Sequence, residues 1–252
     1  MNFYKNLLFL FLFSIPIISL CQEGTPAIAP SILVNFEFGY NAPEGDYKDR
    51  FGSNLSIGGG VEYITSKKNF IYGLHGTYYF GDETKEDVLS EIRNEAGFLI
   101  GNNKIHANIF LRQRAFYIGG SFGKIFALNK YNKRSGIRAT FGAGLFQHKI
   151  RVEEDPNSFV PIIAGDYKKG WDRMSNGLAL RQFVGYQHLS LNGLVNFSIG
   201  FEFMQAFTQN RRIHDFKLME KLDESRVDLM YGLKVVWTLP FALGISPDTI
   251  YY

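Results

Sequence analysis

The sequence predicts an all-β protein, an eight-stranded antiparallel transmembrane β-barrel with short turns at one rim and long loops at the other. Three observations carry this reading. Apolar side chains recur at every second residue over long stretches, aromatic residues make up 16% of the 252 residues, and the connections between stretches alternate in length. In 193–207, GLVNFSIGFEFMQAF, one parity holds Val195, Phe197, Ile199, Phe201 and Phe203. The other holds Asn196, Ser198, Gly200 and Glu202. A strand with that pattern sets a greasy face against a polar one.

Length decides what covers the greasy face. A tilted spanning strand needs about 9–11 residues, whereas strands of soluble sheets most often have about five or six. The stretches here reach the longer value. Mean hydropathy is −0.09, as a membrane barrel requires, because only alternate strand residues need be apolar.

The first residues read as an exported leader. Lys5 supplies the positive start, 7–20 an apolar run broken by Pro16, and Ser19 and Cys21 the small residues before a cleavage point. That run is too short for a spanning helix, which needs about 20 residues. The domain organisation is then a signal peptide over 1–21 and a barrel domain over 22–252 with a short C-terminal tail. Acylation of Cys21 is the alternative, against which the bulk of Leu20 stands. Cys21 is the single cysteine, so the exported chain has no disulfide and no thiolate metal site. Formal net charge is +3, and loss of Lys5 lowers it by one. Such a balance makes no case for nucleic acid, and nothing calls for a cofactor.

Eight strands follow in order. The first, 31–41, puts Ile32, Val34, Phe36, Phe38 and Tyr40 opposite Asn35, Glu37 and Gly39. The second, 53–65, puts Leu55, Ile57, Val61 and Tyr63 opposite Ser56, Gly58, Gly60 and Glu62. The third, 70–80, sets Tyr72, Leu74, Tyr78 and Phe80 against Gly73, His75 and Thr77. A fourth lies within 108–128, where Arg112 and Arg114 share parity with Phe116, Ile118 and Phe122, so its upper end has left the oil or contains a bulge. The fifth, 136–150, opposes Ile137, Phe141 and Leu145 to Arg138, Thr140, Gly142 and Gly144. The sixth, 177–190, is the least regular, with Arg181, Gly185 and Gln187 on its polar side. After 193–207 as the seventh, the eighth, 226–241, alternates Leu229 to Phe241 with Asp228, Gly232, Lys234 and Thr238.

SKKN, NKYNKRS and little more than Leu191 and Asn192 make the short turns, while 42–52, 81–107, 151–176 and 208–225 are long. In outer-membrane barrels the short turns are periplasmic and the long loops extracellular. The inward set comprises Glu37, Glu62, His75, Arg138, Arg181, Glu202, Asp228 and Lys234, nearly balanced in sign. A sandwich core would not bury so many charges. A narrow barrel holds them as a pairing network, with the glycines making room.

The leader, the glycine and aromatic alternation, the strand and loop rhythm and the final strand YGLKVVWTLPF resemble the small outer-membrane β-barrel proteins, the loose superfamily of OmpA-type, OmpX-type and PorT-like barrels. The resemblance implies the outer membrane of a Gram-negative bacterium, contact with outer-membrane lipid and lipopolysaccharide, and recognition of the last strand by the barrel-assembly machinery. Gly232, Val235 and Trp237 fit that style. The chain departs from it in running past Phe241 with ALGISPDTIYY, and no peptidoglycan-binding domain of the OmpA type follows.

No catalytic residue is assigned. His75, His148 and His188 are the candidates for a lipid-modifying nucleophile system, but no familiar spacing ties them to a serine and a carboxylate. The acidic loop 81–103 has the local pattern of a short helix over 85–95, and Asp82, Glu83, Glu86, Asp87 and Glu91 lack calcium-loop spacing. It reads as a solvated lid. Lys168, Lys169, Arg211 and Arg212 lie in outer loops where lipopolysaccharide phosphates are expected. Phe159, Val160, Ile162 and Ile163 form an apolar run that is either a partner surface or a loop folded over the mouth. The expected role is structural or that of an accessory subunit of an envelope or secretion complex. A lipid-modifying enzyme and a narrow transporter or ligand-binding barrel are the alternatives.

Overall fold

The structure, a computed structural model, describes residues 30–243 apart from 67, 103, 105, 129–131, 155–158 and 191–194. The leader through Cys21, the turn at Leu191 and Asn192 and the tail from 244 onward lie outside the described residues. In order the elements are β1 (Ser31–Gly45), α1 (Asp46–Arg50), β2 (Asn54–Ile64), β3 (Phe70–Gly81), a 3₁₀ turn (Ser90–Ile92), β4 (Leu99–Ile100) and β5 (His106–Ala107). Then come β6 (Ile109–Ala127), β7 (Gly136–Glu154), two 3₁₀ turns (Pro161–Ile163, Gly165–Gly170), β8 (Ser175–Leu189), β9 (Asn196–Asn210) and β10 (Ser225–Ala242).

Eight strands close into one antiparallel ring in the order β1, β2, β3, β6, β7, β8, β9, β10, and β10 pairs back onto β1. This is the expected fold class. β4 and β5 form a separate two-stranded hairpin in the second long loop, so that loop hides a hairpin without adding to the wall. Following paired residues round the ring from Asn35 through Gly60, His75, Gly119, Gly144, Ala179, Ala206 and Asp228 leads back to Gly45, ten residues farther along β1. A stagger of that size over eight strands tilts them by about 40°.

The wall obeys the parity read from the sequence. Phe36, Phe38, Leu74, Ile118, Leu145, Phe201, Leu233 and Trp237 are exposed on its outside, while Asn35, Glu37, Glu62, Glu202 and Lys234 are buried inside. β6 and β7 pair without a break from Ile109 opposite Glu154 to Ala127 opposite Gly136. The fourth strand therefore has no bulge along that ladder, and Arg112 and Arg114 face outward because the strand continues past the apolar band.

The interior is layered. At the short-turn end Leu33, Ile64, Ile71, Ile125 and Leu189 form an aliphatic floor. A charged layer lies above it, followed by an aromatic one with Tyr79, Tyr117, Phe146, Met204 and Met230, which continues into the loops through Tyr47, Phe51, Val88, Leu89, Val160, Ile163 and Trp171.

One loop expectation is corrected here. The segment 85–95 is not a helix: only Ser90–Ile92 makes a 3₁₀ turn. Val88 and Leu89 are both drawn into the buried lid, and Asp87 accepts bonds from the Leu89 N–H and Arg93 Nε, which fixes a turn instead. In the apolar run of the third loop, Val160 and Ile163 are buried over the mouth, whereas Phe159 and Ile162 are exposed.

Candidate functional site

Seven of the eight inward ionisable residues meet in one layer. Glu37 is the hub: its carboxylate accepts from Arg181 Nη2 at 2.6 Å and Lys234 Nζ at 3.0 Å, and lies 2.7 Å from His75 Nδ1. Arg181 Nε donates to Glu202 at 2.6 Å, and Lys234 also pairs with Glu202. On the other side of His75, Glu62 pairs with Arg138 and accepts from Asn35 at 2.7 Å. Arg138 also donates to Gln187 at 3.0 Å, and Arg181 to Thr77 at 3.1 Å. Three carboxylates thus face two guanidiniums, one lysine and one imidazole. A buried charge with several well-placed partners is tolerated, whereas one deprived of its partner is costly.

Glycines supply the space. A Cβ on Gly60 would lie 2.5 Å from His75 Nδ1, and one on Gly73 2.5 Å from Glu62 Cγ. Around Glu37, Ser121, Arg181 and Lys234 the free volume is about 20 Å³, room for one water.

Asp228 stands apart from this layer. It lies 2.9 Å from His148 Nε2, accepts from Thr208 Oγ1 at 2.5 Å and meets Arg226 at 3.4 Å. Parity assigns a side chain to a face but not to a height. With a ten-residue stagger, Asp228 belongs a full layer nearer the loops.

One arrangement has the order of a nucleophile system: Ser121 Oγ is 2.9 Å from His75 Nε2, and His75 Nδ1 is 2.7 Å from Glu37. No spacing along the chain marks it, since the three residues come from β6, β3 and β1. The same Nε2 lies 3.2 Å from Glu62. Each ring nitrogen therefore faces a carboxylate, and a ring that donates from both would have no lone pair for a serine proton. The backbone at Ser121 is paired on both sides, to Gly73 and Gly142, so its ladder leaves no pair of amides for an oxyanion. His148 is fully buried, and His188 sits at the short-turn end against Phe197, with Ser135 Oγ 3.4 Å away.

Above the aromatic layer the four long loops are tied by a chain of ion pairs. Arg50 of α1 donates through Nε to Glu86 of the second loop at 2.7 Å. Glu86 also pairs with Arg173 of the third, and Arg173 Nε donates to Asp215 of the fourth at 2.7 Å. Tyr47 drops into the mouth, donated to by Gln113 Nε2 at 2.7 Å and packed edge-on to Phe51, Phe146 and His148. Burial, reinforced by the Asp228 carboxylate, pushes its phenol well above the ordinary tyrosine range, and burial lowers the Arg50 guanidinium. None of these lid residues was legible as a set, because loops carry no period.

The basic residues singled out in the outer loops all have partners within the chain. Lys168 pairs with Glu154 at 2.8 Å and Lys169 with Asp166 at 2.7 Å. Arg211 donates to Asn176 at 2.6 Å, and Arg212 grips Asp172 with two nitrogens. Among the loop carboxylates, Asp82 pairs with Arg112 and Asp87 with Arg93. Among the described residues no cluster of histidine and carboxylate ligands suits a metal ion.

No protein-family model matches the chain, and no curated protein matches it. Among solved structures it is similar to Neisserial surface protein A (NspA), at 13% identity and a TM-score of 0.46, over 87% of this chain and 100% of that one. It is also similar to Ail, the attachment invasion locus protein of Yersinia pestis. For Ail in complex with the heparin analogue sucrose octasulfate the values are 11% identity, a TM-score of 0.35, and 83% and 99% coverage. For Ail alone they are 13% identity, a TM-score of 0.36, and 86% and 99% coverage.

Proposed function

We propose that this chain is a non-enzymatic, non-conducting barrel of the outer membrane of a Gram-negative bacterium, and that it serves as a structural or accessory subunit of an envelope or secretion complex. The observation that carries the reading is the filled interior. Among the described residues an aliphatic floor, a paired charge layer and an ion-paired lid fill the bore, which favours a closed barrel over a pore or a substrate chamber. The continuous exposed apolar wall supports the membrane, and a leader over 1–21 supports export.

With the interior spent on closure, function falls to the surface. The third loop exposes Phe159, Ile162 and Tyr167, and the fourth exposes Ile213, Leu218 and Met219. Large apolar side chains displayed on neighbouring loops favour a protein partner. The test is gentle detergent extraction of the tagged protein at native level, followed by mass spectrometry. A stoichiometric envelope protein that is lost from an Ile213→Asp, Phe159→Asp variant supports the subunit role. Extraction of the barrel alone contradicts it.

A further inference from the structure

β6 and β7 rise beyond the rest of the wall, and their outward positions change character as they do. On β6, Phe116 is followed upward by Arg114 and Arg112. On β7, Leu145 is followed by Gln147, Lys149 and Arg151. Two residues of a tilted strand add about 5 Å of height, so the cations stand just above the last oil-facing side chains. Among the described strand residues no other pair carries outward cations at that rim.

The ladder places these charges unfavourably for an isolated protein. Arg114 is paired directly with Lys149, and Arg112 with Arg151. Like charges directly opposite are destabilising. Glu153 alone answers three guanidiniums, lying 2.7 Å from Arg112 Nε, 2.9 Å from Arg151 Nε and 3.6 Å from Arg114 Nη2. Asp82 takes a second contact of Arg112 but is itself largely exposed. Among the described residues Lys149 has neither a carboxylate nor a hydrogen-bond partner.

Beside this ribbon runs an open groove of about 750 Å³, with Tyr78 and Phe116 at its lower lip and Arg114, Lys149, Arg151 and Lys168 above. Its other carboxylates are engaged: Glu154 by Lys168 and Asp172 by Arg212. The groove is thus apolar below and cationic above, the order of parts in a phosphorylated lipid seen from the bilayer outward. Guanidiniums are well shaped for phosphate oxygens.

We propose that the outward face of β6 and β7 binds the phosphates of an outer-leaflet lipid through Arg114, Lys149 and Arg151, with Lys168 closing the groove. This rests on the outer-membrane reading above. It moves the phosphate contact from the loop pairs Lys168–Lys169 and Arg211–Arg212 to the barrel wall, keeping only Lys168.

The test uses the full barrel in nanodiscs of phosphatidylcholine with or without lipid A, washed and assayed for retained lipid A. The wild type should retain it, and an R114Q, K149Q, R151Q variant should retain roughly tenfold less, while R211Q retains the wild-type amount. Inorganic phosphate added to the lipid A-containing discs separates the sources: millimolar phosphate that displaces lipid A completely would make this a site for free phosphate and overturn the lipid assignment. Equal retention by wild type and triple variant would also overturn it. A chain that does not insert into phosphatidylcholine discs at all fails the membrane reading instead, and a gel shift on heating shows that the variant is folded.

Discussion

The charged layer in the middle of the barrel and the lid at its mouth both use buried ion pairs, but they stand on different scaffolds. In the middle, every member projects from a strand whose neighbours fix its position, and Glu37, Arg181, Glu202 and Lys234 answer one another from four strands. In the lid, Arg50, Glu86, Arg173 and Asp215 come from four loops joined by those pairs, a shared apolar core and scattered backbone bonds such as Lys85 N–H to the Arg50 carbonyl and Phe216 N–H to the Gly170 carbonyl, with no continuous ladder between them. The first network is integral to the closed sheet. The second is a clasp, expected to open without unfolding the wall.

Removing Arg181 should have the largest effect. An Arg181→Ala variant leaves Glu37 and Glu202 each short of a cation in a closed interior, at a cost of about 3–5 kcal/mol. Urea unfolding in detergent reads it, and unchanged resistance would count against the layer as the element that holds the barrel shut. Adding one methyl group at Gly60 comes next. Its Cβ would crowd both His75 and the Leu74 carbonyl, so Gly60→Ala should cost about 3 kcal/mol in the same assay.

Cutting the clasp should look different. Arg173→Ala removes the third loop's link to Glu86 and Asp215, costs about 2 kcal/mol and exposes the loops to limited proteolysis while the urea midpoint of the wall stays in place. If the wall and the loops lose resistance together, the two regions form one cooperative unit and the distinction drawn here is wrong.

The smallest effect is on Tyr47. Because burial raises its phenol in the folded protein, its contribution is complete below the ordinary tyrosine pKa of about 10 and declines as pH rises above it. Protease resistance of the loops should therefore fall above that pH. Tyr47→Phe should lose about 1 kcal/mol at neutral pH, with the bond from Gln113, and show less of the alkaline decline.

The same comparison explains what the sequence disclosed. Alternation identified the inward face of every wall strand, so Glu37, Glu62, His75, Arg138, Arg181, Glu202 and Lys234 were readable as a group before their contacts were known. It could not assign height, and so Asp228 was grouped with residues one layer below it. It also could not show that Ser121, His75 and Glu37 are neighbours, because that depends on the register of three strands. The lid was opaque for a different reason: Tyr47, Arg50 and Arg173 lie in segments without period, and the side chains of other loops and strands that Arg50 bonds are 36 to 125 residues away in the chain. Even the apolar run 159–163 divided, with Val160 and Ile163 turned in and Phe159 and Ile162 turned out, which composition alone does not reveal.

Single-channel recording in planar bilayers tests the central claim most directly, with the wild-type barrel and the Arg173→Ala variant compared side by side. A flat baseline is expected from both, since the charge layer and aliphatic floor remain after the clasp is cut. Stable conductance steps from the wild type would contradict a sealed interior, and steps from the variant alone would show that the lid, and not the charged layer, is the seal.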